Sequence, residues 1–171
     1  GSLMHDVLNS FGNSQFKHAA SVEAIETYLL QELHRESLAR FGRSRSATVS
    51  VQLKMLESRL SAFAVWQAQT VSDGWRITHT EVDLEFHDFS DIHNRPVTLN
   101  GRVDRIDQHP TEKRWRVLDY KTSETASSPN STHRSKEEWV DLQLPLYRLL
   151  VQSLGIKGDI ELGYILLPGD L

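Results

Sequence analysis

The chain has 171 residues, 39% of them hydrophobic and 25% charged, a composition that supplies one globular domain with a core. Its net charge of −4 argues against a uniformly basic polyanion binder, although a local basic face is compatible with that total. The absence of cysteine excludes disulfides, thiolate nucleophiles and thiolate zinc sites, so any metal must be held by oxygen or imidazole ligands. No apolar run approaches the roughly 20 residues that cross a bilayer and no secretory signal opens the chain, so the expectation is a soluble, cytoplasmic domain without a membrane partner. Gly1-Ser2 has the look of a cloning remnant, and Pro168-Gly169-Asp170-Leu171 follows directly on an apolar run. The expectation is therefore one domain, residues 1–171, excised from a larger protein.

Residues 1–72 read as mainly helical. Leu3, Met4, Val7, Leu8 and Phe11 recur at helical spacing before Gly12, and Val22, Ile25, Leu29, Leu30 and Leu33 form a second stripe that ends near Phe41-Gly42. A third helix is signalled by Val51, Met55, Leu56, Leu60, Phe63 and Val65 or Trp66, closed by Ser72-Asp73-Gly74. From residue 73 to 171 the period changes to that of an αβ core, with strands predicted over 75–86, 96–106 and 114–122 and a hairpin turn over 108–113. A polar stretch, 123–135, reads as a mobile, DNA-contacting segment. Helical spacing returns over 136–154 with Trp139, Leu142, Leu146, Leu149, Leu150 and Leu154, interrupted by Pro145 and stopped at Gly155. A last strand is predicted over 159–167.

The most informative segment is Val117-Leu118-Asp119-Tyr120-Lys121-Thr122, a strand ending in an acid and a base two positions apart. Period-2 geometry puts Asp119 and Lys121 on one face with their alpha carbons about 6 to 7 Å apart. Alone, that pair is also what an exposed ion pair at a strand end looks like. The preceding strand, Gly101-Arg102-Val103-Asp104-Arg105-Ile106-Asp107, adds Asp104 fifteen residues earlier, within reach of Asp119 across a short hairpin. Two carboxylates that face one another across paired strands require a cation or a proton between them, and a divalent ion is the natural occupant.

Taken together, these segments resemble the nuclease domain of the PD-(D/E)XK superfamily, in particular the RecB and AddB type of helicase-nucleases that process DNA ends. The resemblance extends through a glutamine and a tyrosine four residues apart, Gln143 and Tyr147, on the helix after the Asp-X-Lys strand. It also covers a histidine in the first helix, His5, and a glutamate on the strand before Asp104, matched by Glu81 with Glu85 as the alternative on the same strand. What the resemblance implies is a mixed α/β, restriction-endonuclease-like core with a sheet of about four strands flanked by helices. It further implies one or two Mg²⁺ or Mn²⁺ ions held by Asp104, Asp119, the backbone carbonyl of Tyr120, His5 and Glu81, with Lys121 positioning or deprotonating the attacking water. Gln143 and Tyr147 would support the site or touch the DNA backbone, while Arg102, Arg105 and Asp107 flank it.

The activity so implied is metal-dependent DNA cleavage, as an exonuclease, in end processing, recombination and repair, with a helicase domain or subunit as partner. The alternative is a nuclease-like DNA-binding or scaffolding module that no longer cuts. Many AddB-type domains carry an iron–sulfur cluster on cysteines; a chain without cysteine holds none. The absence of a GxxxxGK[ST] phosphate loop places no ATP-driven motor in these residues.

Overall fold

The computed structural model describes residues 3–121, 134–135, 138–139 and 143–167. Helices α1 (Leu3–Gly12), α2 (Val22–Phe41) and α3 (Ala47–Ser72) come first, with a 3₁₀ turn at Gln15–His18. Strands β1 (Arg76–Ser90), β2 (Pro96–His109) and β3 (Arg114–Lys121) follow, then two short paired strands, β4 (Arg134–Ser135) and β5 (Glu138–Trp139). Helix α4 (Gln143–Leu150) runs on into a 3₁₀ turn, Val151–Leu154, before β6 (Ile160–Leu166). The expected mixed α/β architecture is present: a four-stranded sheet in the order β1-β2-β3-β6, antiparallel except for the β3–β6 pair, with helices on both faces.

Local chemistry explains where the elements begin and end. Ser21 and Ser46 cap α2 and α3 by accepting hydrogen bonds from the backbone N–H groups of Ala24 and Val49. Gly155, left-handed at φ 74°, ends the turn after α4. One core lies between α1–α3 and the sheet, where Leu8, Phe11, Leu29, Leu60 and Phe63 meet Ile77, Leu118, Tyr120 and Ile165. The other lies beneath α4, where Leu144, Tyr147 and Leu150 meet Leu84, Val103, Ile106 and Val117.

Two sequence expectations shift. In α3 the buried stripe is Leu53, Leu60, Phe63, Ala64, Gln67 and Val71, while Val51 and Val65 are exposed. At 3.6 residues per turn Val51 lies about 200° around the helix from Leu53, so the two cannot share a face. Trp139, expected in the helix over 136–154, belongs to β5 instead, and the helix is described over Gln143–Leu150. Pro145 lies within the described helix, which runs on through it to Leu150. Thr122, most of the polar stretch 123–135, and Lys136 and Leu142 of the expected helix lie outside the described residues.

Strand register decides where a site can form. β2 pairs with β3 from His109↔Arg114 to Arg105↔Leu118 and no further, whereas β3 stays paired with β6 out to Lys121↔Leu166. The strands therefore part at Asp104 and Asp119, leaving an opening at the end of the sheet. Helix α1 reaches this opening because its last residue, Gly12, packs directly on β1: a Cβ there would collide with Thr80 Cγ2. Gly12→Ala is expected to destabilise the protein by about 1–3 kcal/mol through this overpacking, measured by denaturant unfolding.

Candidate active site

Three separate elements deliver side chains to the opening. His5 comes from α1, Glu81 from β1 and Asp104 from β2, and one ligand atom of each lies within 4.8 Å of the others. His5 Nδ1 is 3.0 Å from Glu81 Oε1 and 3.8 Å from Asp104 Oδ2. Ligands about 2.0–2.5 Å from a cation on its opposite sides are about 4–5 Å apart, so this trio spans the right distance to share one ion. Two carboxylates and an imidazole suit a divalent metal that takes both oxygen and nitrogen, such as Mn²⁺, as well as Mg²⁺. Glu85, the alternative to Glu81, lies further along β1, exposed, with its carboxylate 3.6 Å from His87.

Glu81 reaches the trio by an unusual backbone conformation, φ +46°, in the left-handed region that non-glycine residues avoid. The conformation resets the alternation of β1. Thr80 hydrogen-bonds Asn9 of α1, yet Val82, two residues on, packs against the α4 core on the other face. Such a residue costs of order 1 kcal/mol or more and is characteristic of functional sites.

Asp104 is 7% exposed, and its Oδ2 accepts a hydrogen bond from the backbone N–H of Tyr120 at 2.9 Å. Its carboxyl is pushed up from 3.8 to about 6, first by burial and then by the negative charges of Asp119 and Glu81, which outweigh the Tyr120 hydrogen bond and His5. A buried carboxyl among other carboxylates is a group that a bound cation would stabilise.

Asp119 is also buried but differently provided for. Its Oδ1 accepts hydrogen bonds from Gln143 Nε2 at 2.7 Å and from the Tyr147 hydroxyl at 3.3 Å, and its Oδ2 lies 2.7 Å from Lys121 Nζ. Lys121 Nζ donates to Gln143 Oε1 at 3.0 Å and sits 5.0 Å over the Tyr164 ring. Gln143 Nε2 also donates to the Tyr147 hydroxyl at 2.7 Å. Burial lifts the Tyr147 phenol above its usual range, keeping it neutral and able to donate. Gln143 and Tyr147, one turn apart on α4, thus grip Asp119 and Lys121 from the side opposite α1.

Seven of the side chains singled out in the sequence meet here, in two groups: His5, Glu81 and Asp104 as a ligand trio, and Asp119, Lys121, Gln143 and Tyr147 as a hydrogen-bonded network; Glu85 and Arg102 do not join them. Asp119 stands outside the trio, its carboxylate drawn toward α4, and Tyr120 adds an N–H contact to Asp104. A cleft of about 520 Å³ between α3 and β6, lined by Arg59, Trp66, Arg116 and Tyr164 among others, is lined by none of these seven side chains.

The sequence reading missed a buried ionic cluster on the α3 face of the sheet. Arg105, fully buried, makes a two-pronged contact with the equally buried Asp107 at 2.7 and 2.9 Å, and Arg116 reaches the same carboxylate at 2.8 Å. Trp66 lies under both guanidinium groups, at 5.2 and 5.5 Å. The available signal was the two-residue spacing of Arg105 and Asp107, which gives a strand pair one face.

The sequence profile of the PD-(D/E)XK nuclease superfamily matches residues 1–170. No curated protein matches the chain. No helix among the described residues is long and apolar enough to cross a membrane.

The state of Asp104 makes a stability prediction. Because its carboxyl titrates near 6 in the folded protein and 3.8 is its ordinary value, the metal-free fold is favoured with the group protonated. That contribution is complete below the unfolded value and lost as pH rises through the folded one. Asp104→Asn is therefore expected to raise the metal-free unfolding temperature at pH 8 by about 2–6 °C. The gain shrinks as the pH falls below about 6, where the wild-type group is also neutral. Thermal unfolding of both proteins in EDTA across that range measures it.

Proposed function

We propose that this chain, which belongs to the PD-(D/E)XK nuclease superfamily, is a divalent-metal-dependent deoxyribonuclease acting on the phosphodiester bonds of DNA. The observation that carries the proposal is the ligand trio of His5, Glu81 and Asp104 within 4.8 Å, standing next to an Asp119–Lys121 pair at 2.7 Å. His5, Glu81 and Asp104 would hold a Mg²⁺ or Mn²⁺ ion, with Asp119 and the Tyr120 carbonyl as further oxygen ligands. When bound, the ion supplies Lewis-acid polarisation of the scissile phosphate and charge neutralisation.

The remaining chemistry falls to residues whose contacts support it. Lys121, tethered by Asp119 and Gln143, holds an ammonium where an attacking water can be oriented and developing negative charge steadied. A bond forms from the water oxygen to phosphorus as the bond to the 3′ oxygen breaks. The water's proton passes to that oxygen, leaving a 5′ phosphate and a 3′ hydroxyl. Gln143 and Tyr147 keep the carboxylate and ammonium in register by occupying Asp119 Oδ1.

We further propose a RecB/AddB-type exonuclease serving DNA-end processing, recombination and repair in the cytoplasm, with residues 1–171 forming one nuclease domain of a helicase-nuclease. Support for this finer reading is the order of the motif residues along the chain, His5, Glu81, Asp104, Asp119, Lys121, Gln143 and Tyr147.

End-labelled single- and double-stranded DNA and RNA, incubated with the pure protein and Mg²⁺, Mn²⁺ or EDTA, test the proposal. The expected outcome is shortening of DNA in Mn²⁺ and Mg²⁺ and none in EDTA, with Lys121→Ala and Asp119→Asn each slowing cleavage at least about 100-fold while remaining folded. Binding of DNA without cleavage by the wild type would identify a non-catalytic DNA-binding module. Preferential cutting of RNA would reassign the substrate.

A further inference from the structure

We infer that the Tyr120 side chain, backed by the buried Arg105–Asp107 pair, is a positioning residue that sets the mutual placement of His5 and Asp104. The inference rests on reading those two residues as metal ligands, and it concerns groups that the ligand set itself leaves unexplained.

Tyr120 touches both ligands by different parts. Its backbone N–H holds Asp104 Oδ2 at 2.9 Å, and its ring meets the His5 imidazole edge to face, with centroids 5.9 Å apart and planes at 84°. The ring is backed by Phe63 of α3 at 6.3 Å. The side chain is 5% exposed, so neither end is free to wander in solvent. A displacement of the Tyr120 ring would therefore move the imidazole and, through the backbone, the carboxylate anchored to it.

What holds the ring is the charged cluster on the α3 face. The phenol stands on the same face as Phe63 and beside the Arg105 guanidinium. Arg105 is itself immobilised by the two-pronged contact with Asp107 and by Trp66 beneath it at 5.2 Å. Burying such a cluster carries a desolvation cost that apolar side chains of the same volume would avoid. Its location accounts for it. Arg105 stands in the last β2–β3 backbone pair, opposite Leu118, and Tyr120 lies two residues past Leu118 on β3, so the cluster braces the strands where their backbone pairing ends. A rigid guanidinium fork does this more firmly than packing alone, because it fixes direction as well as distance.

Titration of the full chain with MnCl₂, followed by calorimetry, tests the inference alongside thermal unfolding in EDTA. Tyr120→Phe, which keeps the ring and removes only the hydroxyl, is expected to weaken Mn²⁺ binding about tenfold, the usual consequence of losing a support behind a metal ligand. Tyr120→Leu, which also removes the edge contact with His5, is expected to weaken it further. Leu60→Ala, a core change away from the trio, supplies the comparison: it lowers the unfolding temperature but leaves Mn²⁺ affinity within twofold of wild type. Wild-type affinity in Tyr120→Phe, with binding abolished in His5→Ala, would overturn the positioning role while leaving the metal site intact. Equal losses of affinity in Tyr120→Phe and Leu60→Ala would overturn it as well, reducing Tyr120 to a packing residue. Failure of the wild type to bind Mn²⁺ at all would remove both the ligand set and the role built on it.

Discussion

The parting of β2 and β3 after the Arg105↔Leu118 pair is the constraint on which the rest of the molecule depends. A buried backbone N–H must find an acceptor. At Tyr120 the acceptor is not the neighbouring strand but the side chain of Asp104. One carboxylate oxygen thus replaces a rung of the sheet, which keeps the strands close enough to share a core yet far enough apart to admit side chains between them. His5 enters from the α1 side, Gln143 and Tyr147 from the α4 side, and each finds a carboxylate on the strand it meets.

The two carboxylates are not equivalent, and the difference tells what the opening lacks. Asp119 faces an ammonium at 2.7 Å and two hydrogen-bond donors, so its charge is answered by the protein itself. Asp104 has one backbone donor, a histidine 3.8 Å away and a second carboxylate, Glu81, on the same nitrogen of that imidazole. Its charge is left to be met from outside or neutralised by a proton. The backbone of Glu81, held at φ +46°, adds strain in the same place. Buried charge and local strain both lower stability, and their concentration around one trio is what a site organised for a cation rather than for folding looks like.

Much of this was legible in the residues, for reasons that can be named. The helical stripe of Leu3, Met4, Val7, Leu8 and Phe11 and the Gly12 that ends it predict α1 to within a residue, because a short amphipathic helix buries one face and nothing else competes for it. The two-residue spacing of Asp119 and Lys121 translated directly into a shared face. Other features depended on the tertiary structure. Val51 read as core because it is apolar but is exposed, and of the pair Val65 or Trp66 it is Trp66 that packs on the core, alongside Leu53, Leu60 and Phe63. Trp139 read as part of the helical stripe over 136–154 because it is apolar at helical spacing, but it lies in the β4–β5 pair. The gathering of Asp119 toward α4, away from the trio, depends on where strands diverge, and period-2 spacing carries no information about that.

The charged cluster behind the sheet and the carboxylates in front of it also depend on one another. Arg105 and Asp104 are neighbours on β2, and an unopposed guanidinium so close would itself supply the positive charge that Asp104 lacks. That does not happen, because Asp107, two residues on and on the same face as Arg105, accepts the guanidinium in a two-pronged contact. Burial works against the charge on Arg105, but the carboxylate beside it more than compensates and holds the group permanently cationic. The charge of Arg105 is thus committed to the α3 face, and Asp104, raised first by burial and further by Asp119 and Glu81, is left without it. A strand that reads Asp-Arg-Ile-Asp therefore separates two electrostatic tasks by one residue: a fixed cation–anion pair that stiffens the sheet, and a carboxylate left with a deficit that only a diffusible cation or a proton can fill.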